Sequence, residues 1–235
     1  MTRVLFLLAS LLLSALSRAQ NLPADALERE MRGIWVASVA NIDWPSAPGL
    51  TDAALKAEAD AILDRSAAMG LNVVFLQVRP SSDALYFSPI EPMSYYLVGK
   101  NFDSVPSFDP LTYWIEGAHR RGMELHAWVN PFRVTPKADF PVAPGHISHT
   151  HPEWIIKYAG KLYLDPGIPA ARDYVCKVVM DIVSRYDIDG IHFDDYFYPY
   201  PSKGEVFADG GSFAAFNPSH LLLPNWRRAN VTAVI

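Results

Sequence analysis

Two adjacent aspartates, Asp194 and Asp195, end a short apolar segment and are the residues of this chain best suited to acid–base chemistry. The segment 188–199 reads Ile-Asp-Gly-Ile-His-Phe-Asp-Asp-Tyr-Phe-Tyr-Pro, which is typical of a buried strand followed by an aromatic loop. Successive side chains of a strand point to opposite faces, so Gly190, His192 and Asp194 share one face. We therefore predict that Asp194 faces the site and that Asp195 supports it.

A carboxylate at such a position fits glycoside hydrolysis, in which Asp194 would act as general acid or nucleophile. The reaction needs two carboxyl groups, about 5 to 5.5 Å apart for retention of configuration or about 6.5 to 9.5 Å apart for inversion. The second group could be Asp195, Asp43 or Asp165, or a residue on a strand outside this sequence. The plainer alternative is that the aspartate pair only caps the end of a strand.

The elements that would position these aspartates alternate along the chain. Apolar runs predict strands at 32–38, 71–79, 123–130 and 188–194, and helical patterns begin at Thr51, Asp109, Pro169 and about Ser219. This alternation predicts a parallel sheet. Turns from helix to strand are very short and loops from strand to helix are long, as in a (β/α)8 TIM barrel, whose active site lies on the latter loops. A doubly wound nucleotide-binding sheet is disfavoured, because no glycine-rich fingerprint follows the first strand.

The count of elements predicts only part of such a barrel. The pattern yields four βα units, whereas a complete barrel takes about 250 residues. We therefore expect residues 32–235 to represent the N-terminal part of a TIM barrel, truncated to about the first four βα units, with the C-terminal part missing.

Polar residues recur at the same end of three predicted strands. They are costly in an apolar barrel unless paired, so we expect them to converge on a polar pocket. The alternative is a hydrogen-bonded network within the core. Aromatic residues crowd the same loops, and aromatic faces with amide and charged groups suit a glycan cleft. The predicted substrate-binding residues are Gln77, Arg79, His126, Trp128, Asn130, Arg133, His192 and Tyr196.

The histidines offer a metal-binding alternative. His146, His149 and His151 lie in one predicted loop, but no Glu follows at the spacing of a zinc protease. We predict neither a metal site there nor a need for any cofactor. A metal-dependent hydrolase that uses His126, His192 and Asp194 remains a separate hypothesis.

The N-terminus and the charge indicate where the protein works. Residues 1–19 combine Arg3, an apolar run and small residues near the end, which predicts a cleaved secretory signal, followed by a lead-in at 20–31. The apolar run is shorter than a membrane-spanning helix. The formal net charge of −5 argues against a nucleic-acid partner, and the single cysteine excludes an internal disulfide. We expect a secreted protein, periplasmic or extracellular, with no stable membrane insertion.

Six motifs follow one another along the chain: Arg32-Gly-Ile-Trp-Val, Asn72-Val-Val-Phe-Leu-Gln-Val-Arg, His126-Ala-Trp-Val-Asn-Pro-Phe-Arg, His151-Pro-Glu-Trp, Leu164-Asp-Pro-Gly and Asp189-Gly-Ile-His-Phe-Asp-Asp-Tyr. In this order they resemble the glycosyl hydrolase-like 10 family over roughly residues 30–235. That resemblance implies a bacterial envelope protein with a TIM-barrel catalytic domain. Some members of the family act on peptidoglycan glycan strands stripped of their peptides, so it also implies a polysaccharide or peptidoglycan substrate. The alternative is a non-catalytic glycan-binding protein or an inactive barrel fragment.

Overall fold

Strands and helices alternate along the chain, in a computed structural model that describes residues 30–194 and 197–235. The strands are β1 (Gly33–Val36), β2 (Val73–Arg79), β3 (Glu124–Val129), β4 (Arg133–Thr135), β5 (Ile155–Tyr158), β6 (Lys161–Leu164) and β7 (Gly190–Phe193). The helices are α1 (Asp52–Ala68), α2 (Tyr95–Val98), α3 (Pro110–His119), α4 (Ile147–Thr150), α5 (Pro169–Arg185), α6 (Gly210–Ala215) and α7 (Leu223–Thr232). Short 3-10 turns lie at Val39–Asn41 and Pro152–Trp154.

Four of the strands form one sheet in the order β1-β2-β3-β7, and every neighbouring pair in it is parallel. Helices α1, α3 and α5 each lead into the next strand of this sheet, which is the right sequence of elements for consecutive βα units. The predicted parallel α/β sheet is confirmed, and with it the arrangement of a TIM-barrel wall. In such a wall the strands end at one common edge, where the long loops begin.

A second, antiparallel sheet of order β4-β6-β5 occupies the long connection between β3 and α5. The segment Lys161–Leu164 forms β6, the central strand of this sheet. Its partner β5 joins it through Ala159 and Gly160, which both have positive φ. That backbone suits a two-residue hairpin turn, and glycine in the second position makes it accessible. Strands β4 and β5 were not predicted, because each has only three or four residues.

The two faces of the parallel sheet differ in what they bury. Val36, Leu76, Leu125 and their neighbours on one face pack with α1 and α3 into the main hydrophobic core. The other face, here called the inner face, carries an aromatic cluster. Register aligns its members across the strands, because Trp35 pairs with Phe75, Phe75 with His126, and Trp128 with His192. The inner-face cluster consists of Trp35, Phe75, His126, Trp128 and His192.

Helix α1 begins where the sequence predicts it. Thr51 caps it, since its side chain accepts a hydrogen bond from the Ala54 N–H. Apolar residues at seven-residue intervals, Leu55, Ile62 and Met69, do not all face the core, because Met69 lies beyond the helix and is 63% exposed. A helix with 3.6 residues per turn drifts away from a strict heptad. The buried positions are instead Leu55, Ala59, Leu63 and Ser66.

Helices α3 and α5 largely follow the predicted patterns. In α3 the Asp109 carboxylate accepts from two backbone N–H groups, Pro110 opens the helix, and the buried residues include Leu111, Trp114, Ile115 and Ala118. In α5 Val175 and Val178 are buried, whereas Val183 is exposed. These helices therefore cover the outer face of the sheet.

The signal and lead-in predictions concern residues 1–31, of which only 30 and 31 are described. Within the described part of the chain, none of the helices combines the length and the apolar character needed to cross a bilayer.

Candidate active site

Asp194 lies directly after β7, at the edge of the sheet where the parallel strands end. Its carboxylate is half-buried and accepts hydrogen bonds from two side chains of the neighbouring strand end. Asn130 Nδ2 lies 2.8 Å from both carboxylate oxygens, and Trp128 Nε1 donates to Oδ2 at 3.1 Å. The other two site predictions nearby, Asp195 and Tyr196, lie outside the described residues.

Gln77 and Asn130 form the buried floor of this site. Both side chains have no solvent exposure. Gln77 Nε2 donates to Asn130 Oδ1 at 2.5 Å, and Gln77 Oε1 accepts from the backbone N–H groups of Ser38 and Val39 at 2.9 Å. The structure thus links Gln77 through Asn130 to Asp194, but it places both amides beneath the surface that a substrate could reach.

Arg79 requires a correction to its expected role in binding sugar. Its side chain is fully buried, and it forms a two-pronged ion pair with Glu91, with Nε–Oε2 at 2.8 Å and Nη2–Oε1 at 2.6 Å. Burial acts against the charged guanidinium, but the Glu91 carboxylate outweighs it and raises the pKa of Arg79. Its Nη1 donates to the carbonyls of Asn130 at 2.6 Å and Pro131 at 3.1 Å. Arg79 therefore braces the end of β3 and offers no surface for direct substrate contact.

His192 and Trp128 lie on the inner face beside Asp194, and both are half-buried. Trp35 Nε1 donates to His192 Nε2 at 3.1 Å. Burial lowers the pKa of His192, more strongly than the nearby Asp194 raises it. An uncharged imidazole therefore faces the site at neutral pH.

His126 lies on β3 and Arg133 on β4. His126 lies near the middle of β3, where its Nε2 is 3.1 Å from Glu124 Oε2. It packs so close to β7 that a Cβ on Gly190 would come within 2.7 Å of its ring, which explains the glycine. Arg133 opens β4 in the second sheet and is half-buried, and Ser82 Oγ donates to its carbonyl at 2.9 Å.

The other carboxylates considered as partners of Asp194 already accept backbone hydrogen bonds. Asp43 accepts from the Ala37 N–H at 2.8 Å and lines a cavity of about 280 Å³ at the β1–α1 edge. Asp165 is buried and accepts from the Gly167 N–H at 2.8 Å, and burial raises its pKa. Both residues thus shape local turns.

The histidines do not assemble a metal site in the described part of the chain, where no group of three or more His, Cys, Asp or Glu side chains is placed to hold an ion. His146 is buried against the Ser81 carbonyl, and His151 stacks on Trp154. His126 and His192 are both packed against Phe75, and His192 Nε2 already accepts from Trp35. The metal-dependent alternative with His126, His192 and Asp194 therefore finds no support in the described geometry.

Sequence reasoning missed three residues that shape the site. Glu91 neutralises Arg79, Tyr174 donates to Glu91 Oε1 at 3.0 Å, and Trp35 binds His192. Trp35 could have been found, since it occupies the inner face of β1 by strand alternation. Glu91 and Tyr174 carried no comparable signal, because they lie in a long loop and on a helix.

Comparison with known proteins gives consistent results. The family model described as Glycosyl hydrolase-like 10 matches residues 30–235. The chain is 41% identical over 211 residues to Glycosyl hydrolase YngK of Bacillus subtilis, covering 88% of this chain and 41% of that protein. It is 35% identical over 222 residues to Glycosyl hydrolase DigH of Escherichia coli K12, covering 87% and 50%. The chain thus spans half or less of the length of these curated relatives.

Among solved structures, α-L-fucosidase isoenzyme 2 from Paenibacillus thiaminolyticus superposes with a TM-score of 0.52 at 14% identity. The match covers 87% of this chain and 30% of that one. At this identity the likeness concerns the fold alone, and it agrees with the TIM-barrel type inferred from the sheet.

Proposed function

The chain belongs to the glycosyl hydrolase-like 10 family, and on that premise we propose that it hydrolyses glycosidic bonds with Asp194 as a catalytic carboxylate. The observation that carries the proposal is the position of Asp194. It follows a parallel strand at the edge of the sheet that holds the active site in TIM-barrel enzymes, and side-chain donors hold its carboxylate there. A carboxylate fixed at this edge is the group that glycoside hydrolysis requires.

The remaining groups would support catalysis in different ways. Asp194 acts either as the general acid that protonates the leaving oxygen or as the nucleophile at the anomeric carbon. The half-buried ring of Trp128 offers an apolar face to a sugar. Asp195 is our candidate for the supporting carboxylate.

We extend the proposal to the substrate and its location. The expected substrate is a bacterial envelope glycan, in particular peptidoglycan strands without peptides, cleaved after secretion. This choice is supported by the family resemblance of the motifs and by the signal-like residues 1–19.

The test replaces the carboxylate while keeping its shape. Asp194→Asn should reduce the release of reducing ends from peptide-free glycan at least about 100-fold, because an amide can neither transfer the proton nor attack carbon. The matched control is Asp187→Asn. Asp187 lies shortly before β7, and its side chain is 96% exposed. This control should retain the activity of the parent protein.

Retained cleavage in folded Asp194→Asn would contradict the catalytic assignment. Thermal unfolding of both variants, followed by circular dichroism, separates lost chemistry from lost structure.

A second candidate function is glycan binding without cleavage. It is favoured by Trp128, whose half-buried ring lies beside Asp194 at the strand ends that carry the site. Co-sedimentation of the chain with glycan, without release of reducing ends, would favour this function over hydrolysis.

A further inference from the structure

Two buried amide side chains lie between the main chain after β1 and the carboxylate of Asp194. We propose that Gln77 and Asn130 are positioning residues, which orient the Asp194 carboxylate and do not contact the substrate. The effect of these residues on catalysis rests on the proposed function. The direction of each hydrogen bond, from the main chain through Gln77 and Asn130 to Asp194, follows from the geometry alone.

The series of hydrogen bonds begins at the main chain. The N–H groups of Ser38 and Val39 both point at one atom of the Gln77 amide, at 2.9 Å. A backbone N–H can only donate, so this atom must be the amide oxygen. The amide NH2 of Gln77 is therefore turned to the other side, towards Asn130.

The same argument determines the orientation of the second amide, that of Asn130. Because Gln77 presents its NH2, the Asn130 atom at 2.5 Å must be the oxygen, and the NH2 of Asn130 must face Asp194. It lies 2.8 Å from both carboxylate oxygens. An isolated amide can turn over with little change of shape. Here two main-chain donors fix both amides and leave N–H groups directed at the carboxylate.

Burial keeps both amides in this orientation. Neither side chain is exposed, so water cannot replace a missing partner, and a turned amide would leave buried polar atoms unpaired. Arg79 Nη1 also holds the carbonyl of Asn130 at 2.6 Å, which fixes the main chain from which the side chain projects. The carboxylate is thus oriented before a substrate arrives, which lowers the cost of reaching the reactive geometry.

The test follows the indole N–H of Trp128, which donates to the same carboxylate. Its NMR signal is identified as the one lost in Trp128→Phe. Gln77→Met removes the donor to Asn130 without adding charge, and Asn130→Ala removes the last amide. Both variants should shift the Trp128 signal. Asn72→Ala is the matched control, since its amide accepts the Arg32 N–H at the other end of β2, and it should leave the signal in place.

Kinetics of glycan cleavage provide the second readout. Misplacing a catalytic group is expected to lower kcat about 10- to 100-fold, with KM changed less than about twofold. Direct substrate binding by Gln77 or Asn130 would instead raise KM and leave kcat unchanged, and that outcome would overturn the proposal. An unmoved Trp128 signal in both folded variants would overturn it as well.

A measurement on the unaltered protein covers the case in which the variants do not fold. The side-chain NH2 protons of Gln77 and Asn130 should exchange with solvent much more slowly than those of the exposed Asn101. Equal exchange rates would refute the proposal, because they would show that the two amides are not held by buried hydrogen bonds. Failure of the proposed function is distinguishable, because an Asp194→Asn variant that still cleaves glycan would leave the Trp128 and exchange results intact.

Discussion

At the scale of single residues, hydrogen-bond chemistry determines more of this site than formal charge does. The indole N–H of Trp35 can only donate, so His192 Nε2 must accept, and the imidazole proton resides on Nδ1. If Nε2 were protonated, its N–H and the Trp35 N–H would face each other as two donors without an acceptor. This contact and the burial of the ring both favour the uncharged imidazole, in agreement with its lowered pKa.

Trp35→Phe should therefore raise the pKa of His192. The substitution keeps an aromatic ring on Phe75 but removes the donor that requires an uncharged acceptor. NMR titration of the histidine rings measures the change. Trp154→Phe, which alters the ring stacked on His151, is the matched control and should leave His192 unaffected. An unchanged or lower pKa of His192 in Trp35→Phe would show that burial alone sets it.

At the scale of elements, the ends of β2 and β3 are joined by a buried ion pair beneath the site. Arg79 on β2 contacts the carbonyls after β3, Glu91 from the following loop neutralises it, and Tyr174 of α5 donates to Glu91. One charged pair thus ties together two strands, a long loop and a helix. Its position under Asn130 links the stability of these elements to the geometry of the site.

Glu91→Gln should lower the free energy of unfolding by about 3 kcal/mol, because it leaves the buried Arg79 charge without its counter-charge. Urea denaturation measures the change. Glu116→Gln is the control, since Glu116 forms an exposed pair with Arg120 and should cost at most about 0.5 kcal/mol. Similar losses in the two variants would mean that the buried pair contributes no more than a surface pair.

At the scale of the whole molecule, Asp83 makes the stability of the protein depend on pH. It lies in the loop after β2 that also carries Glu91. Burial raises the pKa of Asp83 to about 7, with the nearby Glu91 adding to the effect, while Ser94 and Arg79 oppose it. The folded protein therefore binds a proton that the unfolded chain releases near pH 4. Between about pH 4 and 7 the folded state holds more protons, so stability falls as pH rises through this window.

Asp83→Asn should remove this part of the pH dependence, whose slope is at most about 1.4 kcal/mol per pH unit. Urea midpoints measured from pH 4 to 8 should fall less steeply for the variant than for the parent. Asp103→Asn, at an exposed aspartate, is the control and should reproduce the parent profile. Parallel profiles for Asp83→Asn and the parent would show that Asp83 is ionised throughout.

Local patterns were sufficient for much of the fold. The parallel sheet, the caps at Thr51 and Asp109, and the common face of His192 and Asp194 all follow from residue type and spacing within one element. The strand ends that carry Gln77, Asn130 and Asp194 could be predicted in the same way, because parallel strands end at one edge.

The sequence by itself thus determined the family resemblance, the alternating βα architecture and the carboxylate at the end of β7. Only the tertiary structure decided that Gln77, Arg79 and Asn130 lie beneath the site as buried supports. The reason is physical: a polar side chain acts through its partners, and these are 39 residues away for Gln77 and Ser38, 53 for Gln77 and Asn130, and 64 for Asn130 and Asp194. Spacing within one strand shows which way a side chain points, but only packing between strands determines what it meets.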